Sequence, residues 1–141
     1  MSEEKMNDSL GVANDESPKK ELLIVDDDES YLKLLKKWMS EAHKATAVKS
    51  GIQALKYLEG HRPDLVLLDY EMPEITGGDV LKKMREKPET ADIPVYFLTG
   101  NADPEFLEKI AELNPDGYLV KTMRRSEIAA AVDVFFAKKR K

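Results

Sequence analysis

Four places in this 141-residue chain put chemically capable side chains directly behind short apolar runs. Asp26-Asp27-Asp28 follows Leu22–Val25, Asp69 follows Leu65–Leu68, Thr99 follows Val95–Leu98, and Lys121 follows Tyr118–Val120. If the four runs are parallel strands, these residues arrive at one rim. Several carboxylates gathered in one crevice repel, and the ordinary resolutions are a bound hard cation or a raised pKa. Three acidic residues with further oxygen ligands suit Mg²⁺. A threonine hydroxyl and a lysine ammonium are what an incoming phosphoryl group needs once a metal has taken part of its charge. A carboxylate nucleophile beside Mg²⁺, Thr and Lys makes a phosphoryl-transfer site that forms an aspartyl-phosphate. Residue types alone leave open which carboxylate attacks.

The elements that must position these groups are read from the hydrophobic period, which switches between continuous apolar runs and 3.6-residue stripes. Leu22–Val25, Ala45–Val48, Leu65–Leu68, Val95–Leu98 and Tyr118–Val120 are the expected strands. Between them lie helical stripes: Tyr31, Leu32, Leu34, Leu35, Trp38 and Met39; Ile52, Leu55 and Leu58, closed by Gly60; Val80, Leu81 and Met84; Phe106, Leu107, Ile110 and Leu113. A last stripe carries Ile128, Val132, Phe135 and Phe136. Pro104 suits a first helical position, and Asn114-Pro115-Asp116-Gly117 is turn chemistry. Five βα units with right-handed crossovers make an open α/β sheet with helices on both faces, because a closed barrel needs eight. Ligands of such sheets sit at the carboxyl ends of the strands, where the four groups collect.

Composition excludes several classes of function. With no cysteine, a disulfide scaffold, a zinc ribbon, an iron-sulfur site and a thiol nucleophile are ruled out. A formal charge of −5 argues against gripping a nucleic-acid backbone, which needs a basic face. No apolar run is long enough to span a bilayer, so no membrane insertion and a cytoplasmic chain are expected. Residues 1–19 lack the large apolar side chains that repay ordering and read as a flexible tail. Residues 20–138 read as the folded domain and 139–141 as a basic tail. His43 and His61 are expected at the surface, and Asp28 is as good a helix cap as a ligand.

In order and spacing, LLIVDDDES, DLVLLDYEMPEITGG, IPVYFLTG and DGYLVKTM resemble the signatures of response-regulator receiver domains, similar to the stand-alone chemotaxis-type receivers. The resemblance covers about residues 20–138 and implies a flavodoxin-like fold with strand order 2-1-3-4-5. It implies that Asp69 accepts a phosphoryl group from the phosphohistidine of a histidine kinase or phosphotransfer protein. Asp26, Asp27 and Asp69, with the main-chain carbonyl of Glu71, would hold Mg²⁺. Thr99 and Lys121 would contact the phosphoryl oxygens, and Tyr118 would be the aromatic switch. Glu71 and Asn101 would flank the path of the hydrolytic water and set phosphoryl lifetime. The face of the fourth helix, fifth strand and fifth helix would carry the signal to a protein target, in a monomer or a phosphorylation-dependent dimer. Such a protein is an acceptor and not an enzyme. With no sequence after the fifth helix for an output domain, a single-domain regulator is expected.

Three positions depart from the family pattern. Thr122 replaces the usual proline after the lysine, where a cis bond would cost about 3–4 kcal/mol. Thr76 stands before Gly77 in place of aspartate, and Gly100 replaces a frequent alanine. Two rival readings remain at this level. In the first, D-x-D-x-S at Asp26–Ser30 resembles the haloacid-dehalogenase phosphatase motif, with Asp26 as nucleophile and Asp28 as general acid; it leaves Asp69 and the loop after it without a role. The second is a receiver that only docks partners and is never phosphorylated, although none of its aspartate, threonine or lysine is missing.

Overall fold

The computed structural model describes residues 19–139. Five strands alternate with five helices: β1 (Glu21–Val25), α1 (Glu29–Met39), β2 (Lys44–Val48), α2 (Gly51–Tyr57), β3 (Leu65–Asp69), α3 (Gly77–Glu86), β4 (Val95–Thr99), α4 (Pro104–Ala111), β5 (Gly117–Val120) and α5 (Arg125–Lys139). The sheet is parallel throughout, in the order β2-β1-β3-β4-β5. This is the doubly wound, flavodoxin-like architecture that the sequence led us to expect.

The continuous apolar runs are continuous because both faces of the sheet are covered. Alternate residues serve opposite layers. Leu23, Val25, Val66, Leu68, Val95 and Phe97 pack against Ala54 of α2 and Leu58 at its end, Val80, Leu81 and Met84 of α3 and Ile110 of α4. Leu22, Ile24, Leu65, Leu67, Leu98 and Leu119 pack against Leu32, Leu35 and Met39 of α1 and Ile128, Val132 and Phe136 of α5. A one-residue slip in any central strand would exchange the two sets, so the pattern fixes register as well as burial.

Several sequence expectations need correction. Leu34 is 48% exposed and Ile52 53% exposed. At 3.6 residues per turn, Leu34 stands about 130° round the helix from the centre of the buried stripe, so it faces away from the sheet. Helix α2 ends at Tyr57, α4 ends at Ala111, and Leu113 lies beyond it. His43 is not a surface residue: its side chain is 11% exposed, its ring meets Phe136 at 5.0 Å, and Nε2 lies 3.4 Å from Asp133 of α5. Met72 lies in the loop after β3 and is nevertheless buried in the layer of α2–α4. Lys139, the first residue of the expected basic tail, belongs to α5, while the remainder of that tail, and residues 1–18 of the expected flexible one, lie outside the described residues.

The helix starts follow local chemistry. Asp28 caps α1, its carboxylate accepting from Ser30 N and Tyr31 N, and Asp103 caps α4 directly ahead of Pro104. At α3, Thr76 and Asp79 form a reciprocal capping box, with Asp79 N donating to Thr76 Oγ1 at 3.1 Å and Thr76 N donating to Asp79 Oδ2 at 2.9 Å. These hydrogen bonds hold the Asp79 carboxyl below its ordinary pKa. The threonine at position 76 therefore keeps a capping side chain where the family more often has aspartate. Thr76→Ala removes one arm of the box and should lower the unfolding free energy by about 1 kcal/mol, read as a shift of the urea midpoint at unchanged slope.

Candidate functional site

Parallel strands deliver their carboxyl ends to one edge. Asp26 directly follows β1, Asp69 ends β3, Thr99 ends β4, and Lys121 directly follows β5. Register enforces the meeting: Val25 lies beside Leu68, Asp69 beside Leu98, and Thr99 beside Val120.

At this rim one oxygen from each of Asp26, Asp27 and Asp69 falls within 4.8 Å of the others. Asp26 is fully buried and Asp69 nearly so, whereas Asp27 is exposed. Lys121 bridges the two buried carboxylates, with Nζ 2.7 Å from Asp26 Oδ2 and 3.3 Å from Asp69 Oδ1. Asp26 Oδ1 accepts from Asp28 N at 2.9 Å, which ties the acidic run to the cap of α1. Asp69 Oδ2 is buried with no hydrogen-bond donor among the described residues.

Three negative charges against one ammonium leave the cluster under-neutralised. Burial, and then the charge of Asp26, push the Asp69 carboxyl up to about 8, and the opposing effect of Lys121 does not cancel them. Burial alone would lower the Lys121 pKa; hydrogen bonding and attraction to Asp26 and Asp69 outweigh it, and the ammonium is held above its usual range. A carboxyl whose folded pKa is raised binds more protons in the folded state than in the unfolded one. Stability of the metal-free protein should therefore fall as pH rises from about 4 to about 8. In EDTA the melting temperature should be higher at pH 5.5 than at pH 8, and added Mg²⁺ should raise it more at pH 8 than at pH 5.5. Equal Mg²⁺ effects at both pH values would refute the strain assigned to this cluster.

The donor set fits a hard divalent cation. It offers a fully buried carboxylate, an exposed one and a nearly buried one with an unpartnered oxygen, close enough together to share an ion. Glu71 lies on the loop two residues past Asp69 with its side chain exposed, and its carboxylate is not among the three that gather at the rim.

The remaining expected residues are placed less uniformly. Thr99 is 2% exposed, and its hydroxyl is engaged with the following loop: Oγ1 accepts from Asn101 N at 2.9 Å and donates to Asn101 O at 3.1 Å. Asn101 Oδ1 in turn accepts from Asp103 N, so the threonine is linked by hydrogen bonds to the cap of α4. Tyr118 is 42% exposed and lies on the outer strand. Asp28 is a cap and no part of the acidic cluster. All peptide bonds among the described residues are trans, including the one before Thr122.

Sequence reasoning missed two contributors. Tyr31, read only as part of a core stripe, places its ring 5.2 Å from Lys121 Nζ. Gly77 lies against the end of β3: its N–H donates to Tyr70 O at 2.7 Å, and a Cβ there would collide with Asp69 O.

The sequence profile of the response regulator receiver domain matches residues 22–133, and the chain belongs to that family. It is 34% identical over 119 residues to a probable cyclic di-GMP phosphodiesterase of Vibrio cholerae, covering 84% of this chain and 27% of that protein. It is 31% identical to the polar-differentiation response regulator DivK of Brucella anthropi, covering 72% of this chain and 84% of that one. Among solved structures, the signal receiver domain of a signal transduction histidine kinase from Syntrophus aciditrophicus superposes with a TM-score of 0.77 at 28% identity, covering 84% and 91% of the two chains. This is therefore a receiver domain of two-component signalling.

Proposed function

We propose that Asp69 accepts a phosphoryl group from the phosphohistidine of a histidine kinase or phosphotransfer protein. Asp26, Asp27, Asp69 and the Glu71 carbonyl would hold Mg²⁺ in this reading. The observation that carries it is the unpartnered, buried Oδ2 of Asp69, in a carboxylate whose other oxygen lies 3.3 Å from Lys121 Nζ. Asp26 is held differently: Oδ1 accepts from Asp28 N, and Oδ2, also buried without a hydrogen bond of its own, is paired with the Lys121 ammonium at 2.7 Å. Asp69 thus has an oxygen free to form a bond to phosphorus while the P–N bond of the donor breaks and its imidazole leaves with a proton. Mg²⁺, when bound, draws charge from the phosphoryl oxygens and from the crowded carboxylates. Lys121 then neutralises a further oxygen.

Thr99 supports the switch half of the proposal. To donate to a phosphoryl oxygen its hydroxyl must leave the Asn101 carbonyl, which loosens the link through Asn101 to Asp103 and the start of α4. Tyr118, exposed on β5, would turn inward into the space that Thr99 vacates. The face of α4, β5 and α5 would then present a changed surface to a protein target, in a monomer or a phosphorylation-dependent dimer. The chain is in this view the acceptor and not an enzyme acting on a separate substrate, and it works in the cytoplasm. Incubation with Mg²⁺ and acetyl phosphate, followed by mass spectrometry, tests the proposal. A single phosphoryl group on Asp69 is expected, and modification that survives Asp69→Asn but not Asp26→Asn would point instead to a phosphatase-type nucleophile.

A further inference from the structure

We infer that Tyr31 is a positioning residue for Lys121, its ring face holding the ammonium between Asp26 and Asp69 so that the cation is already in place when a phosphoryl group arrives; this rests on the reading of Asp69 as acceptor.

Lys121 sits on the loop after β5, at the end of a long flexible side chain that many rotamers could carry away from the rim. Two contacts with carboxylates fix the Nζ from one side. The Tyr31 ring, 5.2 Å from Nζ, lies within the distance at which an aromatic face attracts a cation. Burial and the low local dielectric strengthen that attraction beyond its value at an exposed surface.

Tyr31 is itself held in place. Its N–H donates to Asp28 Oδ1 at 3.2 Å, and Asp28 N donates to Asp26 Oδ1 at 2.9 Å. The contacts close a ring from Asp26 through Asp28 and Tyr31 to Lys121 and back to Asp26. A helix cap is thereby coupled to the position of the cation. The Tyr31 hydroxyl is buried without a hydrogen-bond partner among the described residues, so it makes no hydrogen bond to Lys121 that would replace the ring. The aromatic face is what acts on Lys121, so phenylalanine should substitute for tyrosine and leucine should not.

The test compares the full chain with Tyr31→Phe, Tyr31→Leu, Lys121→Met and the double variant Tyr31→Leu/Lys121→Met. Two readouts are needed. The first is the NMR signal of the Lys121 ε-methylene in the metal-free protein, which a ring face shifts upfield. It should be upfield in the wild type and Tyr31→Phe and return to the ordinary lysine position in Tyr31→Leu. The second is the rate of phosphorylation by acetyl phosphate with Mg²⁺. Tyr31→Phe should stay within about twofold of wild type, and Tyr31→Leu should lose roughly fivefold to tenfold. Adding Tyr31→Leu to Lys121→Met should cost nothing further.

An unshifted lysine signal in the wild type overturns the inference, as does an equal loss in Tyr31→Phe. So does a leucine penalty that persists without the lysine, since that would be a packing effect. If the wild type takes no phosphoryl group, the assignment of Asp69 fails separately, and the lysine signal still decides whether the ring holds the cation. If Tyr31→Leu does not fold, the wild-type signal and the Tyr31→Phe rate still decide the matter.

Discussion

Asp69→Asn should abolish phosphorylation by acetyl phosphate in Mg²⁺, with no aspartyl-phosphate detectable by mass spectrometry and no response to beryllofluoride in the amide spectrum. The reason lies in the chemistry of the substituted group. An amide matches the carboxyl in shape, so the end of β3 keeps its packing, but it carries no charge and its oxygen is a poor nucleophile. Asp27 is too exposed to be held in a fixed line with a donor, and Asp26 is committed to Asp28 N and Lys121. Neither is placed to take over. Removing the negative charge from a nearly buried position that is already crowded by Asp26 should also leave the metal-free protein at least as stable as the wild type at pH 8. Loss of phosphorylation with an unchanged or higher melting temperature is therefore the expected pair of results, and it separates loss of the acceptor from loss of the fold. Asp26→Asn should act differently. It lowers the charge available to the cation and frees Lys121 from its shorter contact, so Asp69 should still be modified, more slowly and at higher Mg²⁺. A phosphoryl group found on Asp26 or Asp27 in the Asp69→Asn variant would sink the assignment.

Gly77→Ala is expected to lower the unfolding free energy by about 3 kcal/mol, toward the upper end of what overpacking costs. In a chain of this length that corresponds to a fall in melting temperature of about 10 °C. The atoms in the way belong to the backbone: Asp69 O, which the added Cβ would strike directly, and Tyr70 Cα at 2.9 Å. No rotamer change relieves such a contact, so either α3 retreats or the end of β3 shifts. The Gly77 N–H bond to Tyr70 O, 2.7 Å long, ties the two together and would carry the strain to Asp69. Phosphorylation should slow along with the loss of stability. Gly60→Ala is the matched control, because a Cβ there meets nothing within 4 Å, and it should be neutral or slightly stabilising. If calorimetry gives the two variants the same melting temperature, close approach at Gly77 is not what the site depends on.

Much of the fold was legible because the apolar pattern is redundant. Each central strand is buried on both faces, so it reads as a continuous run whatever the details of packing, and the strand ends follow within a residue. Helix faces were less legible. Leu34 and Ile52 are apolar by composition, but the angular position that turns them to solvent depends on which face meets the sheet, and a run of six apolar residues in nine does not say so. His43 shows the converse. A lone histidine between a helix and a strand reads as surface, yet it is mostly covered because α5, more than eighty residues later in the chain, packs over it. Met72 is drawn into the core in the same way, by neighbours distant in sequence.

The chemistry of the rim divides along the same line. Residue types and their positions behind apolar runs determined that carboxylates, a threonine and a lysine gather at the carboxyl edge, because parallel strands leave no other place for them. They also determined, through the spacing of four motifs, the family to which the chain belongs. Only the tertiary structure decided how the charges are distributed within the cluster. It engages Asp26 twice, leaves one oxygen of Asp69 without a donor, turns Asp28 into a cap, and draws Thr99 toward Asn101. It also lays Tyr31 over Lys121 and Gly77 against Asp69. These relations join residues between two and about ninety positions apart through distances of a few ångströms. Linear spacing sets which edge a residue reaches; the packing of helices on the sheet sets which atom it meets there.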